Sequence, residues 1–116
     1  MANKLQSQRY RTCIDACNEC FEACEMCAVK CLHDENVKSL ANCVEICIAC
    51  SHTCAAASVV MSGESDYSKK ICGLCAEICE ACAAECGKHA EHMEHCRLCA
   101  ESCRRCAEEC RRMMAM

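Results

Sequence analysis

Cysteine recurs along this chain in steps of three and four residues, and no other feature limits its possible folds so sharply. Four blocks carry the pattern: Cys13, Cys17, Cys20, Cys24, Cys27 and Cys31; then Cys43, Cys47, Cys50 and Cys54; then Cys72, Cys75, Cys79, Cys82 and Cys86; then Cys96, Cys99, Cys103, Cys106 and Cys110. Within every block the steps alternate strictly between three and four, the rhythm that lines side chains along one face of an α-helix. The alternation of period two that marks a half-buried strand is absent. Proline is missing and glycine occurs only at Gly63, Gly73 and Gly87, so little in the chain opposes helix. The positions between cysteines hold mostly Ala, Glu, Ile, Arg, Met and Leu, with the charged residues away from the stripe. Each block therefore reads as an amphipathic helix whose apolar stripe is made of thiols.

Turn signals separate the blocks. His33-Asp34-Glu35-Asn36 divides the first from the second, with Asn36 placed to cap a helix. Ser62-Gly63-Glu64-Ser65-Asp66 divides the second from the third, where Gly63 can end one helix and Ser65 or Asp66 can start the next. Between Cys86 and Cys96 the only breaker is Gly87. A continuous helix from residue 66 to residue 112 would run about 70 Å with half its thiol stripe uncovered, whereas a fold-back at Gly87 buries it. The expected structure is all-α: an antiparallel up-down-up-down four-helix bundle with helices near 4–33, 37–61, 66–87 and 91–113. At 116 residues the chain is long enough for one ordinary domain and too short for two separate cores, so 1–116 reads as a single domain.

Twenty cysteines in 116 residues usually signal a secreted disulfide scaffold. The first ten residues, Met1 to Tyr10, show no apolar signal segment, no twin arginine and no cleavage motif. That favours the cytosol, where thiols stay reduced and such patterns bind metal. No apolar run approaches the roughly 20 residues that span a bilayer, so no membrane is expected. The net charge of −4 argues against nucleic acid, which calls for a basic stripe. Arg104, Arg105, Arg111 and Arg112 do cluster, but Glu101, Glu108 and Glu109 interleave with them, as on a solvated, ion-paired helix face.

Three chemistries compete for the thiols. A lone buried cysteine acts as a small hydrophobe, but twenty of them at every core position bury too little apolar area to offset the entropy of folding. Disulfides within a helix are strained, because Cβ atoms three or four residues apart stand about 5–6 Å from each other, against a mean of about 3.8 Å in a disulfide. Metal fits best, since neighbouring thiolates on one face can converge on a soft ion: Cu(I), Zn(II) or an iron–sulfur cluster. Charge decides among these. If each thiolate bridges two Cu(I) ions, one ion per cysteine leaves the core neutral, whereas about five Zn(II) ions, each held by four thiolates, would leave about ten negative charges inside. The C-x2-C-x2-C run of iron–sulfur proteins does not occur. Cu(I) is the expected guest and zinc its competitor.

Extending the stripes past the cysteines predicts what closes the bundle. One pole collects Asp34, Asn36, Leu40, His89 and His92, with His33 and His95 nearby, and the other collects Tyr10, Ala57, Met61, Ser68 and Met113. Imidazole and thioether both suit copper, so His89 and His92 are candidate ligands at a gate, and Met61 and Met113 candidate end caps. His52 and Met26 sit beside the stripe and read as surface or packing residues.

On these motifs, repeated C-x2-C and C-x3-C from Cys13 to Cys110 over nearly the whole chain, the sequence resembles the bacterial copper storage proteins of the cysteine-rich four-helix-bundle family. The resemblance implies a bundle filled with many Cu(I) ions on core cysteines. Lack of a signal segment is similar to the family's cytosolic branch, whose tetramers of bundles imply a homotetramer here. The residues themselves support association only through Ile14, Val44, Ile48 and Leu98, which lie off the thiol stripe. The expected function is a high-capacity Cu(I) sink for storage and detoxification. The alternatives are a zinc or general heavy-metal buffer, or a copper chaperone, although a chaperone needs one exposed thiol pair and not four buried stripes. An enzyme is not expected: no poised acid and base is visible, and no Glu-x-x-His pair of the di-iron bundles occurs.

Overall fold

The computed structural model describes residues 8–116 and contains four long helices: α1 (Arg11–Leu32), α2 (Ala41–Ser62), α3 (Ser68–Gly87) and α4 (Glu94–Ala115). The expected start of the first helix at residue 4 lies outside the described residues. Each helix packs on the next in sequence, and α4 closes the square against α1. Thiol pairs give the directions. Cys27 near the end of α1 meets Cys43 at the start of α2, Cys43 meets Cys86 at the end of α3, and Cys13 at the start of α1 meets Cys110 at the end of α4. Neighbouring helices are thus antiparallel, as an up-down-up-down bundle requires.

The turns depart from expectation in detail. Asn36 does not cap α2 with its side chain; a 3₁₀ turn, Val37–Leu40, comes first, and α2 begins at Ala41. Asp34 Oδ1 instead accepts the Asn36 backbone N–H at 2.8 Å, and Ser39 Oγ donates to the Asn36 carbonyl at 2.7 Å, a local polar turn that competes with helix. Gly63 does follow α2 but keeps φ −85°; the left-handed residue is Glu64, at φ 52°. Ser65 Oγ accepts the Tyr67 N–H at 3.1 Å and its carbonyl accepts from Ser68 Oγ at 2.7 Å, which moves the start of α3 to Ser68.

At Gly87 the chain folds back as argued, although the glycine remains the last residue of α3. Reversal comes from short i→i+3 bonds, among them His89 N–H to the Cys86 carbonyl at 3.0 Å and His92 N–H to the His89 carbonyl at 3.2 Å, followed by an extended Met93 at φ −133°, ψ 110°. Consequently α4 starts at Glu94 and not near residue 91.

All four stripes meet in one core. Every cysteine but Cys13 is fully buried, and Cys13 is 2% exposed. Flanking the stripes, Ala16, Ala28, Ala76, Ala83, Ala100 and Ala107 are buried at the helix contacts, where small side chains let backbones approach. Ile14, Leu40 and Met61 are the bulkiest fully buried side chains. The arginine cluster behaves as a solvated face: Arg112 pairs with Glu108 at 2.8 Å and Glu109 at 2.6 Å, and Arg105 reaches Glu19 on α1 at 2.8 Å. Exposed pairs of this kind add little to stability.

One expectation about apolar length needs correcting. The stretch Val37–Ser62 is long and apolar enough to cross a membrane by length and composition, with a mean hydropathy of 1.7. Much of that apolarity is cysteine, and Cys43, Cys47, Cys50 and Cys54 all face the shared core. A core helix of a bundle passes the same test.

Candidate metal centre

Because the stripes come from four antiparallel helices, their thiols stack into successive layers along the bundle axis. Sulfur atoms of Cys24, Cys47, Cys82 and Cys99, one from each helix, lie within 4.8 Å of one another. So do those of Cys20, Cys24, Cys50 and Cys103, of Cys20, Cys50, Cys54 and Cys79, and of Cys17, Cys75, Cys106 and Cys110. The closest pairs span 3.3 Å, for Cys43 and Cys86, to 4.0 Å, for Cys20 and Cys79. All twenty cysteines are free. A disulfide would need about 2.05 Å, whereas two sulfurs on one ion at about 2.3 Å each stand roughly 3.5–4.5 Å apart. The core has the second spacing. Cys20 and Cys24 each belong to two quartets, so one sulfur can face two ions, the sharing on which charge neutrality at one Cu(I) per thiolate depends.

At the pole formed by the end of α1 and the start of α4, the sequence expectation is partly overturned. His92 is exposed, as are His33 and Asn36, and the half-buried Asp34 turns its carboxylate to the Asn36 amide, so none of these lines the lumen. Leu40 does, with no exposed surface. His89 is half-buried, 3.6 Å from the Glu85 carboxylate, and its Nε2 is buried without a hydrogen-bond partner. The imidazole that reaches the thiols is His95: its Nε2 lies 3.5 Å from Cys31 Sγ, and it completes a cluster with Cys27, Cys31 and Cys96. Met93 was also missed; its Sδ accepts from the Cys96 thiol at 3.9 Å. The two misses have different causes. Unbroken helix from Cys96 back to His92 would put His92 on the stripe, but α4 begins at Glu94 and the extended Met93 resets the register; His95 lies within α4 beside the stripe and reaches the thiols through the contact with α1. At the opposite pole Tyr10, Ala57, Met61, Ser68 and Met113 are all buried, as expected, and the Cys72 thiol donates to Met61 Sδ at 3.5 Å. His52 and Met26 are exposed.

Burial and the neighbouring Cys43 push the Cys31 thiol up from its ordinary 9.0 to about 11, and burial likewise raises Cys96. Below pH 9 the Cys31 thiol is neutral in both folded and unfolded chains. Between 9.0 and about 11 the unfolded chain releases this proton while the folded one holds it, so stability falls as pH rises through that window. From these two thiols, urea midpoints of the reduced, metal-free protein should accordingly drop between about pH 9 and about pH 11. A midpoint that stays constant or rises would show that Cys31 and Cys96 are not held protonated by burial.

Four buried thiol stripes with bridging spacing, and no disulfide among them, define a bundle that sequesters soft metal ions. Residues 6–115 match the sequence profile of the copper storage protein family, and the chain belongs to that family. It is 44% identical to the Cu(I)-bound copper storage protein BsCsp3 of Bacillus subtilis, covering 92% of this chain and 99% of that one with a TM-score of 0.88. A cytosolic copper storage protein from Streptomyces lividans, carrying five coppers, matches at 36% identity, over 92% of each chain, with a TM-score of 0.89. An uncharacterised cysteine-rich protein of Bacillus subtilis, YhjQ, is 45% identical over 108 residues, 93% of this chain and 98% of its own length. Family and core together make this a high-capacity Cu(I) storage protein.

Proposed function

We propose that all twenty cysteines are the Cu(I) ligands, that residues 1–116 act as one copper-binding unit in the cytosol, and that the unit stores copper without catalysing a reaction. The observation that carries this is the burial of every thiol in one column at bridging distances. Thiolates of that density select Cu(I) over harder ions. Protein purified anaerobically from copper-fed cells should contain many copper ions per chain and little zinc; a zinc-filled core would favour the heavy-metal buffer instead.

Copper passes through the histidine pole. Support comes from His95, whose ring joins the Cys27, Cys31 and Cys96 thiols, and from His89, whose buried Nε2 has no hydrogen bond and stands 3.6 Å from the Glu85 carboxylate. A neutral imidazole binds copper and loses it on protonation, which suits transfer better than retention. With His89 and His95 both replaced by Ala, the expected result is unchanged capacity with several-fold altered rates of uptake and of removal by a chelator. His92→Ala, at an exposed position, serves as the comparison. Unaltered rates in the double variant would sink the gate.

The unit works as a homotetramer. Ile14 and Val44 are buried at 1% and 9% exposure and are unavailable for contacts, while Ile48 and Leu98 are 47% and 45% exposed. Val59 at 72% and Leu74 at 50% are further exposed apolar side chains on α2 and α3, and α2 carries Glu45 as its only acidic or basic side chain besides His52. Exposed apolar side chains on weakly charged helices support association between copies.

A further inference from the structure

We infer that Met61 and Cys72 together form a mixed thioether–thiolate Cu(I) site that closes the thiol column at the pole remote from the histidines. This rests on the storage function proposed above and adds a ligand type to it. The sequence pattern leads there: past Cys54 the stripe of α2 continues in the same rhythm, by a step of three to Ala57 and a step of four to Met61. Ala57 and Met61 have no exposed surface, so α2 keeps facing the core at this level. The other three helices supply Cys13, Cys72 and Cys110 there, with Cys13 and Cys110 3.7 Å apart and Cys72 interacting with both. One corner of the last layer is therefore a thioether where the inner layers have thiols from α2.

Charge explains why a thioether suits that corner. Inside the column each thiolate lies between ions on two sides and its charge is divided between them. At the end there is no further ion, so a fourth thiolate would leave an uncompensated charge in a dry core. Thioether sulfur is a soft, neutral Cu(I) donor that completes the coordination of the terminal ion without adding charge. Geometry agrees. The Cys72 Sγ to Met61 Sδ separation of 3.5 Å lies within the range of the thiol pairs, 3.3 to 4.0 Å, and both side chains are fully buried. A methionine filling space would pack as well with its sulfur aimed elsewhere. Here the metal-free thiol already donates its hydrogen to that sulfur, and Cu(I) would replace the shared proton.

The test labels the thioether. Protein expressed with selenomethionine, reduced and loaded to saturation with Cu(I), should show selenium in the copper coordination shell by X-ray absorption. Met61→Leu, which keeps the volume and removes the donor, should at least halve that feature. Full copper loading with no selenium neighbour in the unsubstituted protein would overturn the Met61 site and leave storage intact. So would a feature that persists undiminished in Met61→Leu, since it would belong to Met93 or Met113. A chain that takes up no copper at all would defeat the storage function itself and the site with it.

Discussion

Anaerobic, fully reduced protein titrated with Cu(I) is expected to bind close to one ion per cysteine before free copper accumulates, releasing about one proton per ion as each thiol becomes a thiolate. The stoichiometry follows from charge and geometry together. Buried ions must be neutralised locally, a thiolate carries one negative charge, and shared sulfurs such as Cys20 and Cys24 give each ion more than one ligand without adding charge. Zn(II) added in equal amount should displace little of the bound copper, because soft thiolates prefer Cu(I) and tetrahedral zinc sites would leave the core anionic. Saturation at one or two ions would point to a chaperone with a single exposed pair. Displacement by zinc would restore the heavy-metal buffer.

Copper loading should also raise the melting temperature strongly. The metal-free core is stabilised mainly by small side chains, with Ile14, Leu40 and Met61 its largest fully buried members, so its apolar burial is modest. Ions held only by the folded chain add free energy by linkage, about 2.7 kcal/mol for each site occupied at a hundredfold excess over its Kd. Two such sites already give about 5 kcal/mol, or roughly 20 °C for a domain of this size. Copper bound to thiols of the unfolded chain would reduce the shift, so partial loading is the cleaner measurement, read as a melting temperature that climbs with each added equivalent. An unchanged melting temperature at full loading would show that the thiols are not arranged for metal before it arrives.

Helix content, the number of helices and the inward direction of all twenty thiols were legible in the amino-acid sequence, because a three-and-four rhythm on a chain without proline has one regular solution. Choice of metal was legible too, since it depends on the ratio of ligand charge to ion charge and not on coordinates. The poles were less so. Tyr10, Ala57, Met61, Ser68 and Met113 fell where the extended stripes put them, because the helices run through those positions or start beside them. His92, Asp34 and Asn36 did not, because hydrogen bonds within the turns replace helix there: Asp34 holds the Asn36 amide, and Met93 takes an extended conformation before α4. Periodicity carries information only while the helix lasts. Off the stripe and in the turns, packing between helices decides which ring meets the core, and it selected His95, which lies in the first turn of α4 beside its stripe and meets Cys31 across the α1–α4 contact. The sequence by itself determined a neutral-making column of thiols, where its helices face and what closes the methionine end; only the folded bundle decided which side chains close the histidine end, because those contacts are made by turns and between helices.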